Sequence, residues 1–221
     1  MTKNPTVKLV IRCIWGAIAL VATICTLTDH ISFLGGDCRP VTLFFTSWSV
    51  WIATLAAVSA LVSTIKKDEK TPQWVILVKF CAIIMMIATF VISAFVLPDK
   101  IWKASYWTLG SVFKHFLLPI ITVADTVMYD EKGSYKVYYP FSALVVPLIY
   151  WTAVIGRFCA ARGSNGGAIP ANLWDQYYPY GFTNIDNGHS LFGLIRLLAI
   201  ILVALVAIGY GFYFAKKEYK K

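Results

Sequence analysis

Lys114-His115-Phe116-Leu117-Leu118-Pro119-Ile120-Ile121-Thr122-Val123-Ala124-Asp125-Thr126-Val127-Met128-Tyr129-Asp130 is an apolar run that carries a histidine, a proline and a carboxylate. Its length and apolar content predict a membrane helix. Ionisable groups inside hydrocarbon are costly, so His115 and Asp125 are candidates for function by default. The fold follows from asking how many segments of this kind the chain holds and how the polar groups on them meet.

The 221 residues are 58% hydrophobic and 14% charged, with a mean hydropathy of +0.67. Soluble domains carry about 25% charged residues, so these values predict a polytopic membrane protein. The net charge of +9 does not imply nucleic acid, because the lysines cluster between apolar runs and no basic stripe with interleaved aromatics lies on a soluble segment. The first apolar run lacks a small-residue cleavage site and is long enough to span, which predicts a retained first helix. Of the five cysteines, Cys13, Cys25, Cys81 and Cys159 fall in apolar runs and Cys38 in a polar loop, with no metal-type spacing and no disulfide expected.

Six runs approach the roughly 20 residues needed to cross about 30 Å of hydrocarbon. They lie near Lys8–Thr28, Val41–Thr64, Gln73–Leu97, Thr108–Tyr129, Val137–Ala160 and Ser190–Ala215, and predict an all-α bundle of six transmembrane helices in one domain over residues 1–221. Irregular chain exposed to lipid is excluded at that depth, and the twofold alternation of a membrane barrel is absent. Lys3, Lys8, Lys66, Lys67, Lys70, Lys132, Lys136, Lys216, Lys217, Lys220 and Lys221 outweigh Arg39, Lys100, Lys103 and Arg162 on the other side. The positive-inside rule therefore places both termini in the cytoplasm, in the cell membrane. The long connection over 162–189 combines Gly163-Ser164-Asn165-Gly166-Gly167 with Trp174-Asp175-Gln176-Tyr177-Tyr178-Pro179-Tyr180-Gly181-Phe182. It reads either as an outer-face lid on the interface or as a plain aromatic anchor.

On this topology Thr46 and His115 enter from the same face to about the same depth, near 8 Å at 1.5 Å per residue. A threonine in a membrane helix often only bonds its own backbone. An imidazole in hydrocarbon needs a partner, and its titration range suits a general base. Asp125 lies ten residues further on, about 80° around an ideal helix and about 15 Å deeper, too far to orient His115. Lys79 is its best-matched cation by residue count, with Arg12 as a second, so Asp125 and Lys79 are expected to form a structural charge pair. Arg157 and Arg196 either snorkel to headgroups or bind the carboxylate of an acyl chain. His30, His115 and His189 share one side, but their spacing matches no ligand motif; neither metal nor cofactor is expected.

The run His115-x-x-x-Pro119-x-x-x-x-x-Asp125-x-x-x-x-Asp130 resembles the fourth-helix signature of the prokaryotic six-helix relatives of the androgen-induced and androgen-dependent TFPI-regulating proteins. Phe45-Thr46-Ser47-Trp48-Ser49, Tyr139-Pro140 with Tyr150 and Arg157, and Tyr178-Pro179-Tyr180-Gly181-Phe182 through Asp186 are similar to that family as well. The resemblance implies an intramembrane threonine hydrolase of fatty-acid esters of hydroxy fatty acids, with Thr46 as nucleophile and His115 as base near the outer leaflet. Ser47, Ser49, the Trp48 indole and Arg157 are candidate oxyanion donors or substrate contacts, and Asn184 or Asp186 could assist from the lid. The expected partner is a membrane lipid or acyl ester; no nucleic-acid partner is expected. The rival readings are a non-catalytic lipid-binding or regulatory membrane protein and, less favoured for want of a broken-helix pair, a transporter.

Overall fold

A computed structural model describes residues 4–29, 39–67, 70–96 and 107–217. His30, Cys38, Lys100 and Lys103 lie outside the described residues. Six helices are long and apolar enough to cross a membrane: α1 Pro5–Thr28, α2 Phe45–Ile65, α3 Gln73–Phe95, α4 Leu109–Tyr129, α5 Tyr139–Ser164 and α6 Leu191–Ala215. The described chain is helical with turns and carries no strand. The protein is thus an all-α integral membrane protein.

The boundaries follow from local chemistry. The Asn4 side chain accepts the Thr6 amide at 2.9 Å and Pro5 opens α1, a position where its missing N–H costs nothing. Ser190 caps α6 through the Gly193 amide at 2.9 Å. The fifth helix begins at Tyr139 rather than near Val137. It is interrupted at 143–144, where Pro147 cannot donate to the Ala143 carbonyl, and it runs on to Ser164. Asn165 ends it, and Gly166 follows with a φ of 73° that favours glycine.

Small residues set the packing. Ala19 and Ala22 of α1 and Ala53, Ala56, Ala57 and Ala60 of α2 are fully buried, so the two backbones approach closely. Gly209 of α6 meets Pro140 of α5 so tightly that a Cβ there would come 3.0 Å from the proline Cβ. Large apolar side chains such as Leu20, Ile120, Ile200 and Val203 point outward, as lipid-facing surfaces do. The end of α6 shares a face with the 130–138 connection, because the Lys216 carbonyl accepts the Gly133 amide and Lys216 Nζ reaches the Val127 and Asp130 carbonyls at 2.9 Å, and Arg12 near the start of α1 reaches the Thr64 hydroxyl near the end of α2. This is the terminal face, and the opposite one, with the 165–190 connection, is the loop face.

Candidate active site

The α4 helix is not uniform. Leu109–Val112 is α-helical, Phe113–Leu117 is a π turn, and Leu118–Tyr129 is α-helical again. The Leu118 amide bonds the Phe113 carbonyl five residues back, the π pattern. Pro119 supplies a reason, since it has no N–H for the His115 carbonyl and its ring crowds that oxygen. The wider turn accommodates the defect. It also changes the phase between His115 and Asp125, so the 80° expected from ideal α geometry does not hold across it. Lys114 in the turn pairs with Asp29 at the end of α1. Phe116 stacks on Trp107, with ring centres 5.2 Å apart, and meets Phe90 of α3 edge-on. Ionic and aromatic contacts thus hold the π turn from two sides.

Thr46 is the second residue of α2, behind a 3-10 turn at Val41–Leu43. Its hydroxyl lies 3.4 Å from His115 Nε2, and both residues are half-buried. This is a loose hydrogen-bond distance, of the kind that tightens when a catalytic complex forms. The N-terminus of α2 lacks a capping side chain of its own, because Phe44 stands at the cap. Tyr180 from the 165–190 loop supplies the acceptor, taking the Phe45 amide on its hydroxyl at 3.1 Å. Tyr150 donates to the Leu43 carbonyl at 2.9 Å beside the same helix start. Burial pushes the Tyr180 phenol up to about 12 although the Phe45 amide pulls the other way, so it stays protonated at neutral pH. The sequence offered Tyr180 only as one aromatic among several. Its contact with the Phe45 amide depends on tertiary placement that no local pattern reports.

The other expected site residues have different neighbours. Ser49 is fully buried and donates to the Phe45 carbonyl at 3.0 Å, and Trp48 donates its indole N–H to the Thr42 carbonyl at 2.9 Å. Ser47 is buried. Arg157 is exposed, its guanidinium 5.3 Å from the centre of the Tyr177 ring, and Arg196 is exposed on α6. Asn184 turns the loop by accepting the Asp186 amide at 3.1 Å. Asp186 is a loop hub: it pairs with Arg162, accepts the Ile169 amide at 2.9 Å and the Tyr178 hydroxyl at 2.7 Å. Burial works against the charged form, but these donors outweigh it and hold the Asp186 carboxyl below its ordinary range. Burial first and the Asp186 hydrogen bond second push the Tyr178 phenol up to about 12. No group of three His, Cys, Asp or Glu among the described residues could hold a metal ion.

Near the terminal face the polar groups form a second cluster. Lys79 Nζ of α3 lies 2.6 Å from Asp125 Oδ2 and also pairs with Asp130. Arg12 Nε donates to Asp125 Oδ1 at 3.1 Å, and its Nη1 donates to the Ala60 carbonyl and the Thr64 hydroxyl at 2.8 and 2.6 Å. Tyr135 donates to Asp130 Oδ2 at 2.7 Å. Burial and the Asp130 charge both push the Tyr135 phenol up. Arg12, Lys79 and Asp125 are at most 1% exposed. Two cations face two carboxylates, which is how buried charge is tolerated in hydrocarbon. Asp130 and Tyr135 were not expected here; Asp130 lies just past the helix end, where residue counting along a span stops.

No protein-family model, curated protein or solved structure matches this chain.

Proposed function

We propose that the protein is an intramembrane lipid-ester hydrolase in which Thr46 is the nucleophile and His115 the general base, with the loop face outward and both termini cytoplasmic. One observation carries the reading: two side chains 69 positions apart, from α2 and α4, bring a hydroxyl and an imidazole to 3.4 Å at one end of an apolar bundle. A threonine hydroxyl is a weak nucleophile until an adjacent base takes its proton. His115 Nε2 accepts that proton as Thr46 Oγ1 bonds the ester carbonyl carbon. The tetrahedral intermediate then collapses, the alcohol oxygen leaves with the proton from His115, and the acyl group stays on Thr46. Water attacks this ester with His115 again as base, releasing the fatty acid and restoring the threonine hydroxyl.

The membrane supplies substrate selection. Each methylene withdrawn from water contributes about 0.8 kcal/mol, so long acyl esters concentrate beside the site. Fatty-acid esters of hydroxy fatty acids are the substrate class that the family resemblance suggests. The test is labelling of the purified protein with an alkyl fluorophosphonate, which reacts only with an activated nucleophile. Labelling is expected in the wild type and lost in Thr46→Ala and His115→Ala. Equal labelling in Thr46→Ala refutes the nucleophile, and no labelling of any form leaves lipid binding without catalysis as the function.

A further inference from the structure

The Tyr180 side chain has two surroundings. Its hydroxyl accepts the Phe45 amide at the start of α2, one residue before Thr46. The same residue lines a polar pocket of about 210 Å³ in the loop, together with Arg39, Trp174, Asp175, Tyr178 and Asn184. Its ring stacks on Phe182 at 5.3 Å, nearly parallel, and meets Phe44 edge-on at 6.4 Å. Tyr180 therefore joins the loop pocket to the start of α2, where Thr46 stands.

It holds an oxygen against the Phe45 main-chain N–H, one residue before Thr46, which is the kind of donor an ester carbonyl oxygen needs during attack. The acceptor is borrowed from a loop 135 positions away, since α2 has no cap of its own. A borrowed cap can be exchanged for another oxygen without unwinding the helix. We propose that Tyr180 is a door between the loop pocket and the Thr46–His115 pair, and that the carbonyl oxygen of an incoming acyl ester displaces its hydroxyl from the Phe45 amide. The identity of the incoming group rests on the hydrolase reading; the door itself does not.

The door predicts exclusion: while Tyr180 is seated, Thr46 is shielded from the loop side. The test uses the full-length protein in detergent with its five cysteines replaced by alanine and Thr46→Cys as the reactive thiol, in backgrounds carrying Tyr180, Tyr180→Phe or Tyr180→Ala. Modification by a water-soluble methanethiosulfonate is expected to quicken about tenfold in Tyr180→Ala, the factor for losing one or two net hydrogen bonds, with Tyr180→Phe between. A second reporter, Thr54→Cys, is placed between α1 and α2, where Thr54 bonds Thr23. Equal rates in all three backgrounds, or a parallel rise at Thr54→Cys that signals general loosening, overturn the door. Fluorophosphonate labelling of Thr46 in otherwise native protein provides the second arm. Faster labelling in Tyr180→Phe supports displacement by the incoming oxygen, and slower labelling overturns it by assigning Tyr180 to the chemistry instead. Quicker thiol modification without any Thr46 labelling supports the door while defeating the hydrolase reading, so the two failures are separable.

Discussion

The two ends of α4 hold polar groups under opposite conditions. Near the terminal face Arg12, Lys79, Asp125 and Asp130 are buried and balanced in charge, and contacts of 2.6 to 3.1 Å tie Asp125 to both cations. Near the loop face Thr46 and His115 are half-buried and 3.4 Å apart. On the hydrolase reading proposed above, the difference separates fastening from chemistry. A saturated ion cluster gains nothing by moving, because any displacement strands a charge in a low dielectric. A loose pair beside a removable loop has room to change partners.

Substitutions at the two ends should therefore fail in different assays. The largest effect is expected at the loop face: Thr46→Ala or His115→Ala lowers lipid-ester hydrolysis by about 10²- to 10⁴-fold, with thermal stability in detergent unchanged. A comparable loss of stability in either variant would erase the distinction between the ends. Next in size, Asp125→Ala leaves Lys79 and Arg12 short of a counter-charge and costs about 3 to 5 kcal/mol. Equilibrium unfolding in detergent measures this. The double variant Asp125→Leu with Lys79→Met should be more stable than Asp125→Ala, because it removes one cation with one carboxylate.

Between the ends stands Pro119. Pro119→Ala returns an N–H to the His115 carbonyl and lets the π turn relax into α-helix, turning His115 away from Thr46. Misplacement of a reacting group by about 1 Å can cost about a hundredfold, so fluorophosphonate labelling should drop by up to that factor while stability holds or rises. Unchanged labelling would show that the π turn does not position the base. The smallest effect concerns the loop. The Asp186 carboxyl is held below its ordinary range, so its contribution to loop closure is complete at neutral pH and is lost only as pH falls through that depressed value. Proteolysis of the 165–190 loop should stay slow down to about pH 4, the ordinary carboxylate range, and quicken below it. Asp186→Asn should be cleaved faster than wild type at neutral pH and show no such acid step.

The spans were legible because length and apolar content alone define them. The shared level of Thr46 and His115 and the proximity of Asp125 to Lys79 were legible too, since depth in a bilayer follows from counting residues inward from a known face. Rotation about the helix axis was not. Counting assigned His115 an α-helical phase, whereas Pro119 forces a wider turn at that residue; the proline was in view, but its effect on phase depends on whether the helix kinks, breaks or widens. Contacts made by the loop were equally hidden. Tyr180, Asp186 and Asn184 acquire their partners through the fold of an irregular segment, for which no periodicity exists to follow. Trp48 and Ser49 were candidate substrate contacts; two and three residues past Thr46, they lie about 160° and about 60° from it around α2, and both donate to nearby carbonyls.

The π turn in α4 amounts to one supernumerary residue in a rod. Residues before and after it belong to two helical wheels offset by about 100°, the angle that one residue subtends. Were α4 straight, a mutation that adds or deletes a residue would swing everything beyond it and tear Asp125 from Arg12 and Lys79. A helix that already contains a phase break can absorb such a change locally. The half bearing His115 is thereby free to be re-aimed over generations while the anchored half keeps its bearings.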